Sequence, residues 1–171
     1  MPPFLRLSAY YFFYFAFLGA FAPYFSLYLD ALAFSAWEIG ILMSLMQAVR
    51  VVAPNLWGWL ADRLGRRAPI VRLAAVAAVA GFCIFFVTES FPGVFLGMAV
   101  MAFFWGAALP LVEALTFGHL GAQAHRYGSV RLWGSIGFIL AVIGLGGLLD
   151  VAPIESLLWV SLALLGGIVV C

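Results

Sequence analysis

Long apolar runs separated by short polar segments fill the chain from end to end. A bilayer core about 30 Å thick needs roughly 20 apolar residues per helix, and six runs have this length. Backbone groups in lipid must pair within their own segment, so each run is predicted to be a helix. The pattern therefore predicts an all-α membrane protein whose six spans cover residues 4–29, 37–61, 69–88, 92–118, 128–149 and 153–171.

The composition supports this reading and excludes several functions. Hydrophobic residues make up 67% of the chain and charged residues 9%, whereas a soluble domain has about 25% charged residues. The net charge of +1 offers no basic face, so we expect no nucleic-acid partner. His119 and His125 are badly spaced for a metal pair, and no Ser/His/Asp arrangement is visible. We expect no metal, no cofactor and no enzyme.

The charged residues between the runs predict the orientation of the chain. Arginines lie on the cytoplasmic side of membrane proteins. The predicted spans place six arginines on one side of the membrane, namely Arg6, Arg63, Arg66, Arg67, Arg72 and Arg126. The opposite side holds acids and no arginine. We therefore expect a cytoplasmic N-terminus and a location in a plasma membrane, the inner membrane of a bacterium.

The densest cluster of charge is a short turn between the second and third predicted spans. Gly65 supplies the positive φ that a sharp reversal needs, and Gly58 has no side chain to keep a neighbouring helix away. The cluster reads Gly58-x-x-x-Asp62-Arg63-x-Gly65-Arg66-Arg67. This pattern resembles the signature loop between the second and third helices of the major facilitator superfamily, with every fixed position present.

An internal repeat is visible in the first and fourth spans. Gly19 is followed after four residues by Pro23, and Gly106 is followed after four residues by Pro110. The two spans run in opposite directions, and matched Gly/Pro interruptions in inverted halves are typical of transporters and their binding cavities. We therefore expect an inverted 3+3 repeat within the six helices.

Three ionisable residues, Arg50, Glu113 and Arg131, lie inside apolar runs, where each costs roughly 2.5–3.5 kcal/mol at the membrane centre. Arg50 precedes Asp62 by twelve residues, which is about 18 Å of helix and places it near the midplane. It either binds an anion in a central cavity or pairs with a polar group on a neighbouring helix. Glu113 and Arg131 flank one loop and are expected to form an ion pair, which either holds substrate or holds two helices together. Arg131 could alternatively be a loop arginine.

The segments around Glu113 and Arg131 sharpen the resemblance. They read Pro110-Leu-Val-Glu113-Ala-Leu and Tyr127-Gly-Ser-Val-Arg131-Leu-Trp-Gly-Ser-Ile-Gly-Phe138. They resemble the oligosaccharide:proton symporter branch that includes the lactose and 3-phenylpropionate permease-like proteins. The resemblance implies that Glu113 and Arg131 hold substrate and that Phe138 stacks on it. It also implies that Phe15, Leu18 and Arg50 line the cavity.

The resemblance, taken with these residues, implies the N-terminal half of a facilitator transporter. We expect proton-driven import of a small organic solute by alternating access. Two arginines favour an aromatic carboxylate, while a sugar or a nucleoside is the alternative substrate, and a non-transporting membrane scaffold is the alternative of another class. The expected partners are the bilayer, the small-molecule substrate, and either a missing C-terminal half or a second copy of the chain.

Overall fold

The structure, a computed structural model, describes residues 3–171 apart from the side chains of Pro3 and Ala122. All regular structure within that range is helical, as predicted. Short 3-10 segments, Ile84–Phe86 and Gly121–Arg126, follow the third and fourth α-helices. The six α-helices are α1 Pro3–Ala31, α2 Ala36–Leu64, α3 Arg67–Cys83, α4 Phe91–Leu120, α5 Tyr127–Leu149 and α6 Ser156–Val170.

Five of the helical segments are long and apolar enough to cross a membrane, and α6 is shorter. Its 15 residues correspond to about 22 Å of helix, less than the bilayer core. It begins three residues after Pro153, the expected start. The intervening residues form a turn in which the Ser156 N–H donates to the Pro153 carbonyl at 3.0 Å.

Specific caps define both ends of α2. At its start, the Ser35 hydroxyl accepts from the Glu38 N–H, and the Glu38 carboxylate accepts from the Ser35 N–H at 2.9 Å. This reciprocal pair satisfies backbone donors that the helix leaves open. At its end, Gly65 adopts φ 64° and its N–H donates to the Ala61 carbonyl at 3.0 Å. Gly65 therefore ends α2 and reverses the chain at the signature turn. Glycine suits this position because a residue with a side chain is strained at positive φ.

The helices form two compact units, one containing α1, α5 and α6 and the other containing α2, α3 and α4. In the first unit, α1 lies along both α5 and α6, which contact each other less. A Cβ on Gly137 of α5 would overlap the Phe12 carbonyl, and a Cβ on Gly19 of α1 would lie 2.6 Å from the Phe138 carbonyl oxygen. Glycine at these positions lets the two backbones touch.

In the second unit, α4 packs on both α2 and α3. The Trp57 indole N–H of α2 donates to the Phe103 carbonyl of α4 at 3.1 Å. On the α3 side, a Cβ on Gly81 would lie 2.7 Å from the backbone nitrogen of Met101. Helix α4 thus packs on both other helices of its unit, as α1 does in the first unit.

A column of aromatic rings runs along one face of α1. The residues are three or four apart, the spacing that places helical side chains above one another. Tyr10 stacks on Tyr14 with centroids 6.4 Å apart, and the rings from Phe17 to Tyr28 stack in succession, with the Phe21 and Phe25 centroids 4.2 Å apart. The column comprises the buried residues Tyr10, Tyr14, Phe17, Phe21, Phe25 and Tyr28.

We expect Gly65→Ala to destabilise the protein by about 1 kcal/mol, because alanine is strained at positive φ. Thermal unfolding of the purified protein measures the loss. Gly58→Ala is the matched control, since Gly58 lies inside the same helix and a Cβ there meets no atom within 4 Å. Equal midpoints for the Gly65→Ala protein and wild type would contradict the assigned role of the cap.

Candidate functional site

The signature turn carries an ion pair of its own. The Arg67 guanidinium donates to the Asp62 carboxylate at 3.0 Å, and both side chains are exposed. An exposed pair of this kind contributes little to stability. Asp62 therefore remains available to exchange Arg67 for another partner.

The other arginines of the turn leave it strongly positive. The Arg63 guanidinium lies 4.9 Å from the ring centroid of Trp59, one turn earlier on α2. Arg66 is exposed and precedes α3 without making a side-chain cap. Gly58 has open space in place of the close helix contact expected there. Within residues 3–171, the structure therefore gives this turn an exposed cationic surface balanced only by Asp62.

Arg50 lies against the neighbouring helix of its unit. Its guanidinium carbon is 5.5 Å from the ring centroid of Trp105 on α4, within range of a cation–π contact. Its Nη1 donates to the Gln47 side-chain oxygen at 3.2 Å, one turn earlier on α2. The Trp105 ring is buried, whereas Arg50 remains exposed. The sequence reading missed Trp105, and its position directly before Gly106 of the repeat was the available signal.

Arg131 is held in the same way in the other unit. Its guanidinium carbon lies 3.9 Å from the ring centroid of Phe15 and 5.8 Å from that of Tyr11, both on α1. Arg131 and Phe15 are half-buried, and Tyr11 is fully buried. The structure thus brings together two predicted site residues, Arg131 and Phe15, and adds Tyr11. The sequence did not distinguish Tyr11 from its neighbours, because residues 10–15 are all aromatic.

The remaining cavity residues predicted in this unit lie on the same two helices. Phe138 follows Arg131 by seven residues on α5, which places both on one face of the helix. Its ring is 37% exposed, and its backbone lies against Gly19. Leu18 on α1 is half-buried. A stacking role for Phe138 is compatible with its partly open ring.

Glu113 lies half-buried on α4, in the unit that contains Arg50 and Trp105. It follows Trp105 by eight residues, about 12 Å along the helix. Arg131 belongs to the other unit, so the expected ion pair between Glu113 and Arg131 remains a prediction.

The two Gly/Pro elements, residues 19–23 and 106–110, lie within α1 and α4 respectively. Both prolines lie inside continuous helices, Pro23 in α1 and Pro110 in α4. A proline deprives the carbonyl four residues earlier of its helical donor, here at Gly19 and Gly106. Gly19 faces α5 within the first unit, whereas a Cβ on Gly106 would lie 3.4 Å from Ala53 of α2 within the second.

The described residues include no metal-binding group. No cluster of three or more His, Cys, Asp or Glu side chains has the geometry to hold an ion in that part of the chain. His119 instead makes a 2.8 Å hydrogen bond to the Leu115 carbonyl one turn earlier.

Comparison with known proteins gives a consistent result. A family model described as the MFS_1 like family matches residues 4–171. The maltose permease of Geobacillus stearothermophilus is 37% identical over 144 residues, which cover 82% of this chain and 36% of the permease. An uncharacterised transporter, YwbF of Bacillus subtilis, is 28% identical over 142 residues, which cover 82% of this chain and 35% of that protein.

Among solved structures, the nucleoside transporter NupG superposes with a TM-score of 0.86 at 22% sequence identity. The match covers 99% of this chain and 43% of NupG. The chain is thus an all-helical integral membrane protein with the fold of one part of such a transporter, and it spans less than half the length of these relatives.

We expect the contact between Arg50 and Trp105 to be measurable as a coupling free energy of about 1 kcal/mol. The free energies of unfolding of Arg50→Gln, Trp105→Leu and the double variant give that coupling. Trp59→Leu paired with Arg50→Gln is the control. It should be additive, because the Trp59 ring faces Arg63. Additivity in the Trp105 cycle would rule the contact out.

Proposed function

The chain belongs to the MFS_1 like family, and on that basis we propose that it acts as one six-helix half of a secondary active transporter. The half rocks against a second six-helix half about a central site, which gives alternating access. The second half is either a further part of the same polypeptide or a second copy of this chain. The cytoplasmic N-terminus and the bacterial inner membrane belong to this proposal and follow the distribution of arginines.

A polar face on α2 supports the proposal of a second half. Ser44, Gln47 and Asn55 are exposed, and helical periodicity places them near Gly58 on one side of α2. Exposed amides at hydrocarbon depth are unfavourable unless protein or water covers them. A second half, together with a water-filled pathway between the halves, satisfies this requirement.

The composition of the two units supports the inverted 3+3 repeat, which we include in the proposal. Exchanging α1–α3 for α4–α6 in order converts the first unit into the second. The exchange also relates the two cation–π contacts. Arg131 on α5 faces Phe15 on α1, and Arg50 on α2 faces Trp105 on α4.

We propose a sugar as the substrate, because the relative at 37% identity is a maltose permease. Sugars present hydroxyl groups that both donate and accept hydrogen bonds. In the first unit Arg131 offers N–H donors, and in the second unit Arg50 offers N–H donors and Glu113 offers carboxylate acceptors. The apolar face of a sugar ring packs on an aromatic side chain, the role proposed for Phe138, with Phe15 and Leu18 completing the cavity wall.

An aromatic carboxylate is the second candidate, and the two arginines that lie over aromatic rings favour it. A guanidinium over a ring is not neutralised and keeps its fork of N–H groups. Those groups match a carboxylate with two parallel hydrogen bonds. A substrate panel of maltose, uridine and 3-phenylpropionate therefore covers the sugar, nucleoside and aromatic-acid classes.

We propose proton symport as the mode of coupling. A protonophore should abolish accumulation of the substrate against its gradient, while exchange of labelled for unlabelled substrate continues. Accumulation that survives the protonophore would reject proton coupling and leave the transport proposal in place.

The contact between Arg131 and Phe15 is the observation that carries the proposal, and uptake tests it. In cells expressing the protein, we expect maltose uptake to fall at least about tenfold in Arg131→Ala and Glu113→Gln, since each removes a charged hydrogen-bonding group. Arg72→Gln is the charge-matched control and should retain wild-type uptake. It removes an exposed arginine near the cytoplasmic turn.

If wild type, Arg131→Ala and Glu113→Gln take up maltose equally, the assignment of Arg131 and Glu113 to substrate binding is rejected. Lack of uptake for every member of the panel, with this chain and its second half both present in the membrane, would favour the scaffold alternative.

Asp62 is proposed to act as a gate at the cytoplasmic face, where it exchanges Arg67 for a group on the second half. We expect Asp62→Asn to lower the maximal uptake rate severalfold with little change in KM, because the substrate contacts remain intact. Asp150→Asn, an exposed aspartate after α5, is the control. Unchanged transport in Asp62→Asn would remove the gate role.

A further inference from the structure

Gly134 lies directly beneath the contact between Arg131 and Phe15. It is one turn after Arg131 on α5 and is buried. A Cβ at this position would lie 2.6 Å from Cδ2 of the Phe15 ring and 3.1 Å from Nη1 of Arg131. The space that any other residue would fill with its side chain is thus occupied by the two groups that meet there.

The surroundings of Gly134 differ from those of the other glycines of α5. At Gly137 the nearest atoms belong to the Phe12 backbone, so that glycine sets the distance between two helices. At Gly144 and Gly147 a Cβ would meet nothing within 4 Å. At Gly134 the nearest atoms belong to the Phe15 ring and the Arg131 guanidinium, and both residues belong to the proposed site.

We propose that Gly134 is a positioning residue that seats the Phe15 ring against the Arg131 guanidinium and thereby presents the side of Arg131 away from that ring to the substrate. This inference rests on the proposed function and deepens it. The Arg131 guanidinium carbon lies over the Phe15 ring at 3.9 Å, so the N–H groups on the side away from that ring are the ones that a ligand can reach. The site therefore takes the oxygen atoms of a ligand, from a hydroxyl or a carboxylate, on that side.

A side chain at Gly134 changes this geometry in a defined way. An added methyl group displaces the ring, because Cδ2 and Cγ of Phe15 would lie 2.6 and 3.2 Å from it, closer than contact distance. The guanidinium then loses its aromatic neighbour and gains freedom to turn. The charge of the site is unchanged, so binding weakens while the steps after binding continue.

Chemical modification tests, without any substrate, whether Gly134 holds the Phe15 ring against Arg131. Phenylglyoxal reacts with guanidinium groups, and mass spectrometry of the peptides compares Arg131 with Arg50 in the same protein. We expect Gly134→Ala to raise the relative modification rate of Arg131 roughly three- to tenfold, the range for loss of one charge–ring contact. Gly144→Ala, the same change at an open position of the same helix, should leave the rate unchanged.

Transport kinetics test the consequence for binding, with maltose as the probe. We expect Gly134→Ala to raise KM about tenfold, with a maximal rate within about twofold of wild type, because ground-state contacts are what it loses. Phe15→Leu removes the ring that collides with the added methyl group. The double variant should therefore bind no more weakly than Phe15→Leu alone, since the two changes act on one contact.

Unchanged Arg131 modification in Gly134→Ala, or fully additive effects with Phe15→Leu, would overturn the inference. If Gly134→Ala fails to accumulate in membranes, recovery of its level by Phe15→Leu supports the shared seat and failure to recover overturns it. Absence of maltose uptake in wild type rejects the sugar proposal by itself, and the modification experiment then decides the role of Gly134 alone.

Discussion

The structure depends on how positive charge is accommodated among apolar helices. A cation at hydrocarbon depth is costly, and it persists where protein groups or water surround it. In this chain the partner is an aromatic ring on the neighbouring helix, Trp105 for Arg50 and Phe15 for Arg131. A ring stabilises the guanidinium without neutralising it. The positive charge therefore stays available to a ligand, whereas a carboxylate partner would have to be displaced.

The backbones come close enough for these contacts because glycines lie at the crossings. Gly19 and Gly137 bring α1 and α5 together, and Gly106 of α4 lies against Ala53 of α2. In each unit one central helix carries the ring and a neighbouring helix carries the arginine. The same local solution thus occurs twice in one chain, on helices that the Gly/Pro elements also relate.

Much of the architecture could be predicted from the sequence because lipid restricts the possible structures. Apolar runs at hydrocarbon depth must be helical, and the turn at Gly65 follows from its residues. The short α6 was not predicted, since Pro153 is a residue typical of a helix start and the helix begins only at Ser156. Trp105 and Gly134 were also missed. Neither residue differs by type from many others in the chain, and their importance comes from which helix lies opposite, which an amino-acid sequence alone does not specify.

The grouping of α1 with α5 and α6 has a consequence for biosynthesis. A ribosome makes α1 before the other five helices described here, yet the two helices that pack on it are made only after α2, α3 and α4. Until then α1 is a lone span, and its glycines and aromatic column face lipid or transient neighbours. Contacts between segments this distant in sequence form slowly, because a long loop must close first. Helix α1 is therefore made before α2, α3 and α4, yet its own packing is completed only after they have been made.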